Sequence, residues 1–515
     1  MFLKYKIQIY YFFLIFLSIS FPIYYGNIGV FPIDSFLIFN GGYNVFNGYH
    51  PFKDYWSITG PILDYFQSIF FLIFGINWLS YILHASVINS LLVVISFYFF
   101  YKMKLKEELS FLYSLSIGIL AYSQTGTPFM DYHAFIFSFI SIIFLLLGLQ
   151  FKKNIYWFFS AFFLFISFFS KQIPSSYLAI FLILIFFSFF SYFKKKYSSN
   201  LLFFMYTLIV LFLIFLLGIF IGKIPMSNVL NQYFLYPIGI GQERSELLNF
   251  DLKNTIFQFK YLYFAILPYI IVFSFNFKKI NKHKEKYKEL IFLTLIAGTF
   301  VIFIYAQLIT LNQVLIFFTI PFYLAVSHIY NVKFFKNINL SIFLVLLLFF
   351  STTKFHLRFN VEKKFMELSN SNLDLAIDAY SLGNILKGLK WISPKYDENP
   401  QKELDLLIDT KKILLNENKK FILISDYQII PALINLKEVS PNKWYDSLSV
   451  PSKNNTFYEN YKKFFTKSIK KQNIKIIYLI DKEQKYLDNI YQNSNCIGYT
   501  QINPITLRAN IEKCD

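Results

Sequence analysis

Long apolar runs that are almost free of charge recur through the first 352 residues of this chain, and they restrict its fold more than any other feature. A helix needs roughly 20 apolar residues to cross the hydrocarbon core of a bilayer. On that rule the sequence predicts crossings at about residues 7–29, 77–101, 109–123, 134–151, 154–170, 174–193, 201–222, 258–277, 290–308, 313–330 and 339–352, eleven in all, the third and the last being short. The first run is too long for a signal peptide, and no small-residue cleavage site follows Phe21 to Gly29, so it reads as an anchor. Composition agrees, since 56% hydrophobic and 15% charged residues do not make a soluble chain.

The 49 Lys and Arg against 30 Asp and Glu give a net charge of +19. In a soluble chain that excess points to nucleic acid, but here no basic stripe with interleaved aromatics exists to track a strand, and nucleic acid is excluded as a partner. Position explains the charge instead. With a cytoplasmic N-terminus, the inward loops hold eighteen basic residues: Lys4, Lys6, Lys102, Lys104, Lys106, Lys152, Lys153, Lys194, Lys195, Lys196, Lys278, Lys279, Lys282, Lys284, Lys286, Lys288, Lys333 and Lys336. The outward loops hold six: Lys53, Lys171, Lys223, Arg244, Lys253 and Lys260. Four inward acids and seven outward ones make the inner side +14 and the outer side −1, as the positive-inside rule demands. An odd number of crossings places everything after Thr352 outside.

The character of the chain changes at Thr353. The last 163 residues carry 25 basic and 19 acidic side chains and no further crossing. Glu403 to Leu415 reads as an amphipathic helix, while Phe421 to Ser425 and Ile474 to Ile480 read as buried strands, each ending in an acid, Asp426 and Asp481. The expected architecture is therefore a polytopic α-helical membrane domain (1–352, with its first outward loop at 30–76) followed by a small α/β extracytoplasmic domain (353–515). Nothing Gly-rich follows either strand, so no phosphate cradle is expected there. Cys496 and Cys514 are the only cysteines: two unrelated thiols, or one bond if their domain lies in an oxidising compartment.

Chemistry is sought where charge survives among apolar residues. The first outward loop, GVFPIDSFLIFNGGYNVFNGYHPFKDYWSITGPILDYFQSIFFLIFG, carries Asp34, His50, Lys53, Asp54 and Asp64. A carboxylate just past a crossing sits beside water, yet its interactions strengthen in the low dielectric beneath it, which suits a general base or a metal ligand. For Asp34 the competing role is a helix N-cap in Pro32-Ile33-Asp34-Ser35. Gly60-Pro61 followed by Ile62 to Gly75 reads as an interfacial amphipathic helix or as a crossing entered early. In AYSQTGTPFMDYHAF, Asp131 and His133 either share a divalent cation, Mg or Mn, or form an interfacial cap. Lys171 in FFSKQIPSSY either snorkels to headgroups or holds a phosphate. Arg244 lies between Glu243 and Glu246; its fork suits phosphate, and a local ion pair is the plainer role.

Taken in order, these features resemble the GT-C glycosyltransferases: an inward N-terminus, a long first outer loop with an acid just beyond the first crossing, the stretch GYHPFKDYW…GP…Y…FG, a short acidic second loop, a lysine after the fifth crossing and an outer C-terminal domain. The chain to about residue 330 is most similar to the bacterial protein-mannosyltransferase-like and RgtA/B/C/D-like branch. The resemblance implies transfer of a sugar from a polyprenyl-phosphate donor to a lipid, glycan or protein acceptor at the periplasmic face of the bacterial inner membrane, with inversion. It places Asp34 at the reaction centre as base, makes Asp54 the second recurring acid of the loop, and gives Asp131 a part in binding a metal or the donor phosphate. Such relatives often carry a basic residue just before the Gly-Pro, where this chain has Ile58-Thr59. Lys53, Lys171 or Arg244, with His50 beside them, would then supply the phosphate contact.

The chemistry is consistent with so sparse a set of residues. A polyprenyl phosphate departs as an anion, so the site needs a base for the acceptor and a cation for the phosphate, and no general acid. The competing readings are a transporter or flippase for lipid-linked glycans and a non-catalytic membrane scaffold. A transporter would place its charges at mid-membrane on broken helices, whereas the acids here cluster in outward loops.

Overall fold

The computed structural model describes residues 2–122, 125–248, 251–277, 283–310, 315–491 and 494–514. The chain begins with α1 (Phe2–Gly26), and the first expected outer loop folds into α2 (Pro32–Ser35), α3 (Leu37–Phe46) and α4 (Ile62–Phe74). The bundle continues with α5 (Trp78–Lys102), α6 (Glu107–Leu120), α7 (Met130–Phe151), α8 (Asn154–Phe168), α9 (Ser175–Ser188) and α10 (Phe190–Ile221). Next come α11 (Met226–Val229), a π-helical turn at Leu230–Leu235, α12 (Tyr236–Glu246), α13 (Lys260–Phe277), α14 (His283–Thr310), α15 (Ile320–Tyr330) and α16 (Ile338–His356).

Seven of the described helices are long and apolar enough to cross a membrane: Tyr5–Gly26, Trp78–Lys102, Met130–Phe151, Phe190–Ile221, Lys260–Phe277, Glu285–Thr310 and Ile338–Met366. The chain is a multi-pass membrane protein. A helix stands at each of the eleven expected crossings, but those at 109–123, 154–170, 174–193 and 313–330 are α6, α8, α9 and α15, of 14, 15, 14 and 11 residues. At 1.5 Å per residue they rise roughly 16–23 Å, short of the ~30 Å hydrocarbon core. Only Phe189 separates α9 from α10, and α10 bends at Tyr197 (φ −136°, ψ 21°), so Lys194 to Lys196 lie inside a helix rather than in a loop. Residues 313–314 of the tenth expected crossing, together with Lys278, Lys279 and Lys282, lie outside the described residues.

Helix ends assigned inward on charge gather at one end of the bundle. Lys6 pairs with Glu107 at 3.6 Å, Lys288 reaches Gln150 at 3.0 Å, and Lys333 pairs with Glu289 at 2.8 Å. The opposite end carries the C-terminal domain. There α16 runs past Thr352 to His356 before a π-helical turn at Leu357–Val361. A short hairpin, β1 (Ile377–Asp378) with β2 (Lys390–Trp391), precedes α17 (Pro400–Leu415), β3 (Phe421–Ser425), α18 (Ile430–Leu433), α19 (Tyr458–Gln472), β4 (Ile476–Ile480), α20 (Gln484–Ile490), β5 (Gly498–Asn503) and β6 (Thr506–Asn510). The sheet order is β3-β4-β6-β5, with β3 and β4 parallel and the other pairs antiparallel. Every residue of β3 and β4 is buried, as befits a parallel pair covered on both faces. Cys496 and Cys514 are joined in a disulfide across 18 residues.

This domain is stitched to the first loop rather than tethered beyond it. Trp56 N–H donates to Pro441 O at 2.8 Å, Lys443 N–H returns to Trp56 O at 2.9 Å, and Val30 N–H reaches Ile392 O at 2.9 Å. The firmest tie is ionic. Lys443 Nζ lies 2.7 Å from Asp64 Oδ1, and Tyr55 donates to Asp64 Oδ2 at 2.8 Å, with both charged groups buried. Helix α4 carries Asp64 and is amphipathic in the inverted sense. Asp64 and Gln67 point into the protein, while Leu72 (75% exposed), Ile73 and Phe74 face outward. A helix that hides its polar face and displays its apolar one is suited to hydrocarbon outside and polar protein within.

Candidate active site

Between the bundle and the C-terminal domain lies a cavity of about 770 Å³ that brings together residues distant in sequence. Asp34, Asp131, Lys171 and Arg244 line it, joined by Trp444 and Asp446 of the C-terminal domain. Each of the first four sits where a helix begins or ends, because the apolar helix interiors leave only such positions for charge.

Asp34 arrives on α2. Phe31 is the N-cap of that turn and Pro32 its first residue, the rigid φ of proline favouring the start of a helix. The Asp34 carboxylate caps nothing; Ser35 Oγ accepts from Phe31 N–H at 2.9 Å instead. Among the described residues the Asp34 carboxylate has no hydrogen-bond or ion-pair partner, which settles the N-cap alternative against a local structural role. Burial pushes its pKa up to about 7, assisted by the negative charges of Asp131 and Asp446 and opposed by Lys171.

Asp131 stands in the first turn of α7 and is likewise not a cap, the N-cap being Phe129. Its partner is Lys171, whose Nζ lies 2.6 Å from Asp131 Oδ1, with the acid 1% and the lysine 19% exposed. Lys171 therefore does not snorkel away from the bundle: it lies against a buried carboxylate, with part of its side chain still accessible. The loop that carries it is held to the first outer loop by Gly60. Gly60 N–H donates to Ser170 O at 3.1 Å, and a Cβ on Gly60 would meet Phe169 O at 1.7 Å, so only glycine allows this approach. Gln172 completes the seam through Nε2, donating to Ile58 O at 3.0 Å and Tyr233 O at 2.7 Å.

Arg244 lies in the last turn of α12 and donates to Thr310 O at 3.4 Å. No ion pair joins it to Glu243 or Glu246 among the described residues, so the plainer reading from sequence is not realised. Its positive charge instead offsets the upward push of burial on the Asp446 carboxyl. Asp446 accepts from Ser449 N–H at 2.7 Å. Beside it, the Trp444 indole N–H is buried without a hydrogen-bond partner among the described residues.

Four of the candidate residues lie elsewhere. Asp54 accepts from His50 N–H at 3.0 Å and pairs with Lys471 at 3.1 Å, a tie to α19. Lys53 donates to Gly222 O at 2.8 Å, and His50 Nδ1 is 2.9 Å from the Tyr65 hydroxyl. These three organise the first loop and do not line the cavity. His133 is two residues from Asp131, and on a helix that spacing turns the two side chains to different faces. Its ring meets His84 Nε2 at 3.0 Å and the Tyr122 hydroxyl, while Asp131 is engaged by Lys171. The Asp131–His133 cation pair therefore does not fit the geometry. Among the described residues no group of three or more His, Cys, Asp or Glu is gathered to hold a metal ion.

Trp444 and Asp446 escaped the sequence reading because nothing local distinguishes NKWYDSLS, and their place depends on how the C-terminal domain docks. One flank of the wall is apolar and aromatic: Tyr177 of α9, Tyr305 and Ile309 of α14, and Ile238 of α12. One cavity thus offers an unpaired carboxyl, two cations and an apolar flank.

No protein-family model and no curated protein matches the chain. Among solved structures the chain is similar to the archaeal oligosaccharyltransferase AglB from Archaeoglobus fulgidus in complex with an inhibitory peptide and a dolichol-phosphate, at 12% identity and a TM-score of 0.42, over 100% of this chain and 75% of that one.

Proposed function

We propose that this protein is a membrane glycosyltransferase of the GT-C type that moves a sugar from a polyprenyl-phosphate donor to a hydroxyl-bearing acceptor, with inversion, in the cavity between the bundle and its C-terminal domain. The observation that carries the reading is Asp34, a carboxyl without a partner, its pKa pushed up to about 7, in the cavity that also holds Lys171 and Arg244. A base is most effective when its pKa lies near the working pH, and Asp34 meets that condition.

In this scheme Asp34 takes the proton of the acceptor hydroxyl as its oxygen attacks the anomeric carbon from the face opposite the phosphate. The bond from that carbon to the phosphate oxygen breaks, and the phosphate leaves as an anion. Lys171 and Arg244 stabilise the charge that develops on it. Asp131 holds Lys171 in place through their ion pair. The flank formed by Tyr177, Tyr305, Ile309 and Ile238 receives the first isoprene units of the carrier. The inner-membrane location, the cytoplasmic N-terminus and the periplasmic cavity belong to the same proposal. It is supported by the +14 against −1 distribution of loop charge and by the disulfide in the C-terminal domain.

The test is transfer from polyprenyl-phosphate hexoses and pentoses by purified protein in detergent, comparing wild type with Asp34→Asn and Asp131→Asn. Wild type is expected to form a glycosylated product, Asp34→Asn to lose at least a thousandfold in turnover, and Asp131→Asn to lose tenfold or more. Retained transfer in both variants refutes the site assignment. A transporter predicts carrier movement in vesicles without cleavage of the phosphate–sugar bond.

A further inference from the structure

A second, open groove of about 1030 Å³ lies at the far end of α16, away from the cavity described above. Lys354, Arg358 and Lys364 line it, with Phe349 and Phe350 on its apolar side and a single acid, Glu362. None of the three cations has an ion-pair partner among the described residues. Lys171 and Lys53, at the same end of the bundle, are by contrast engaged by a carboxylate and a carbonyl.

The arrangement along the helix is directional. Ile342, Leu346, Phe350, Lys354 and Arg358 follow one another at four-residue intervals, so each neighbours the next in a row that drifts about 40° per step around α16 and passes at Arg358 into the π-helical turn. Its first three members are exposed apolar side chains and its last two are cations. Tyr261 at the start of α13 braces the changeover: its ring lies 5.7 Å from that of Phe350, and its hydroxyl accepts from Lys354 Nζ at 3.0 Å. Lys260 stands over the same ring at 5.5 Å and adds a further positive charge beside the groove. An apolar track that ends in clustered cations matches the form of one class of ligand, an amphiphile with an acyl chain and an anionic head.

We infer that the groove at the end of α16 binds the phosphate headgroup of an anionic glycerophospholipid, Lys354, Arg358 and Lys364 holding the phosphodiester and the Ile342–Leu346–Phe350 stripe carrying an acyl chain. The competing role for these cations is to complement the C-terminal dipole of α16. A dipole role requires no groove, no lipid preference and no contribution from Lys364, which lies beyond the helix.

Native mass spectrometry of the full-length protein, released from detergent after incubation with phosphatidylglycerol or phosphatidylcholine, tests the inference. Wild type is expected to retain phosphatidylglycerol at least tenfold over phosphatidylcholine. A cation near an anionic headgroup contributes roughly fivefold in affinity, so the triple variant Lys354→Gln/Arg358→Gln/Lys364→Gln is expected to lose the preference altogether. Because that variant could fold poorly, Glu362→Lys gives a second measurement: it removes the one acid and is expected to raise retention severalfold. Equal retention of the two lipids by wild type overturns the inference. So does an unchanged preference in the triple variant, or no gain in Glu362→Lys. Complete displacement of the lipid by millimolar inorganic phosphate would show a site for the free ion and would overturn the assignment to a lipid. Sugar transfer is not read in this experiment, so its outcome is separate from that of the proposed activity.

Discussion

Replacing Asp34 by Asn separates function from stability in a way that few substitutions do. The carboxyl titrates at about 7 in the fold, against about 3.9 in an unfolded chain. Between those values the folded protein keeps a proton that the unfolded chain has released, so stability falls as pH rises from about 4 to 7 and stays lowered above 7. At 1.36 kcal/mol per unit the full cost is roughly 4 kcal/mol. The carboxyl is partly exposed within the cavity, and water there screens it, which brings the expected figure down to about 1–3 kcal/mol. Asn has no proton to lose. Asp34→Asn is therefore expected to melt higher than wild type at pH 8 and level with it near pH 4, in detergent, followed by tryptophan fluorescence. Turnover by wild type is expected to fall tenfold per unit below about pH 7, and Asn abolishes it at every pH. Because Asp131 raises the Asp34 pKa and Lys171 lowers it, Asp131→Asn moves the acid limb of the remaining activity to lower pH and Lys171→Met moves it to higher pH. An equal melting difference at pH 5 and pH 8, or a flat rate profile between pH 6 and 8, would refute the assignment of Asp34 as an unpartnered base.

The remaining expectations concern how the cavity is assembled. Lys443→Met strands the buried Asp64 carboxylate and should cost about 3–5 kcal/mol, measured by thermal melting, with Asp64→Asn in the same chain recovering part of the loss. Gly60→Ala drives a methyl into Phe169 O and should destabilise by about 1–3 kcal/mol while lowering transfer more than Asp54→Asn does. Cys496→Ser opens a loop of 18 residues' separation and should cost about 3 kcal/mol; alkylation with and without reductant reports whether the bond forms in cells.

The helices were legible in the sequence because hydrocarbon admits so few solutions. A run of apolar residues with its backbone unsatisfied cannot lie in lipid except as helix or closed barrel, and all eleven expected crossings stand as helices. Their lengths were less legible. Where α8 packs on α7, hydropathy alone reports a crossing, whereas burial against the neighbouring helix explains many of the same residues; α9, which runs into α10 through Phe189, keeps Ile180, Ile183, Leu184 and Phe187 exposed and is short for a different reason, the break at Phe189. In the C-terminal domain the strands at Phe421–Ser425 and Ile476–Ile480 were visible as continuous apolar runs, since a parallel strand buried on both faces has no polar alternation.

Of the site, Asp34, Asp131, Lys171 and Arg244 could be singled out because each is a charge that interrupts an apolar landscape at a helix end. Asp54, Lys53 and His50 had the same appearance and proved to be ties within the loop or across to α19, for charge at an interface is needed for docking as well as for chemistry. What distinguishes the two kinds is whether the charge is answered. Asp54 meets Lys471, Asp64 meets Lys443 and Asp131 meets Lys171, each within about 3 Å. Among the described residues Asp34 pairs with no cation, and a carboxyl left without a partner beside apolar walls destabilises the fold that holds it. That cost is sustained by the ties around it: the Asp64–Lys443 pair and the Trp56–Pro441 hydrogen bond fix the first loop under the C-terminal domain, and the Gly60–Ser170 bond fixes it to the end of α8. The C-terminal domain therefore helps to bury Asp34, and it brings Asp446 close enough to raise the Asp34 pKa further. The proton affinity of Asp34 is consequently a property of the docked whole rather than of the loop on which Asp34 resides.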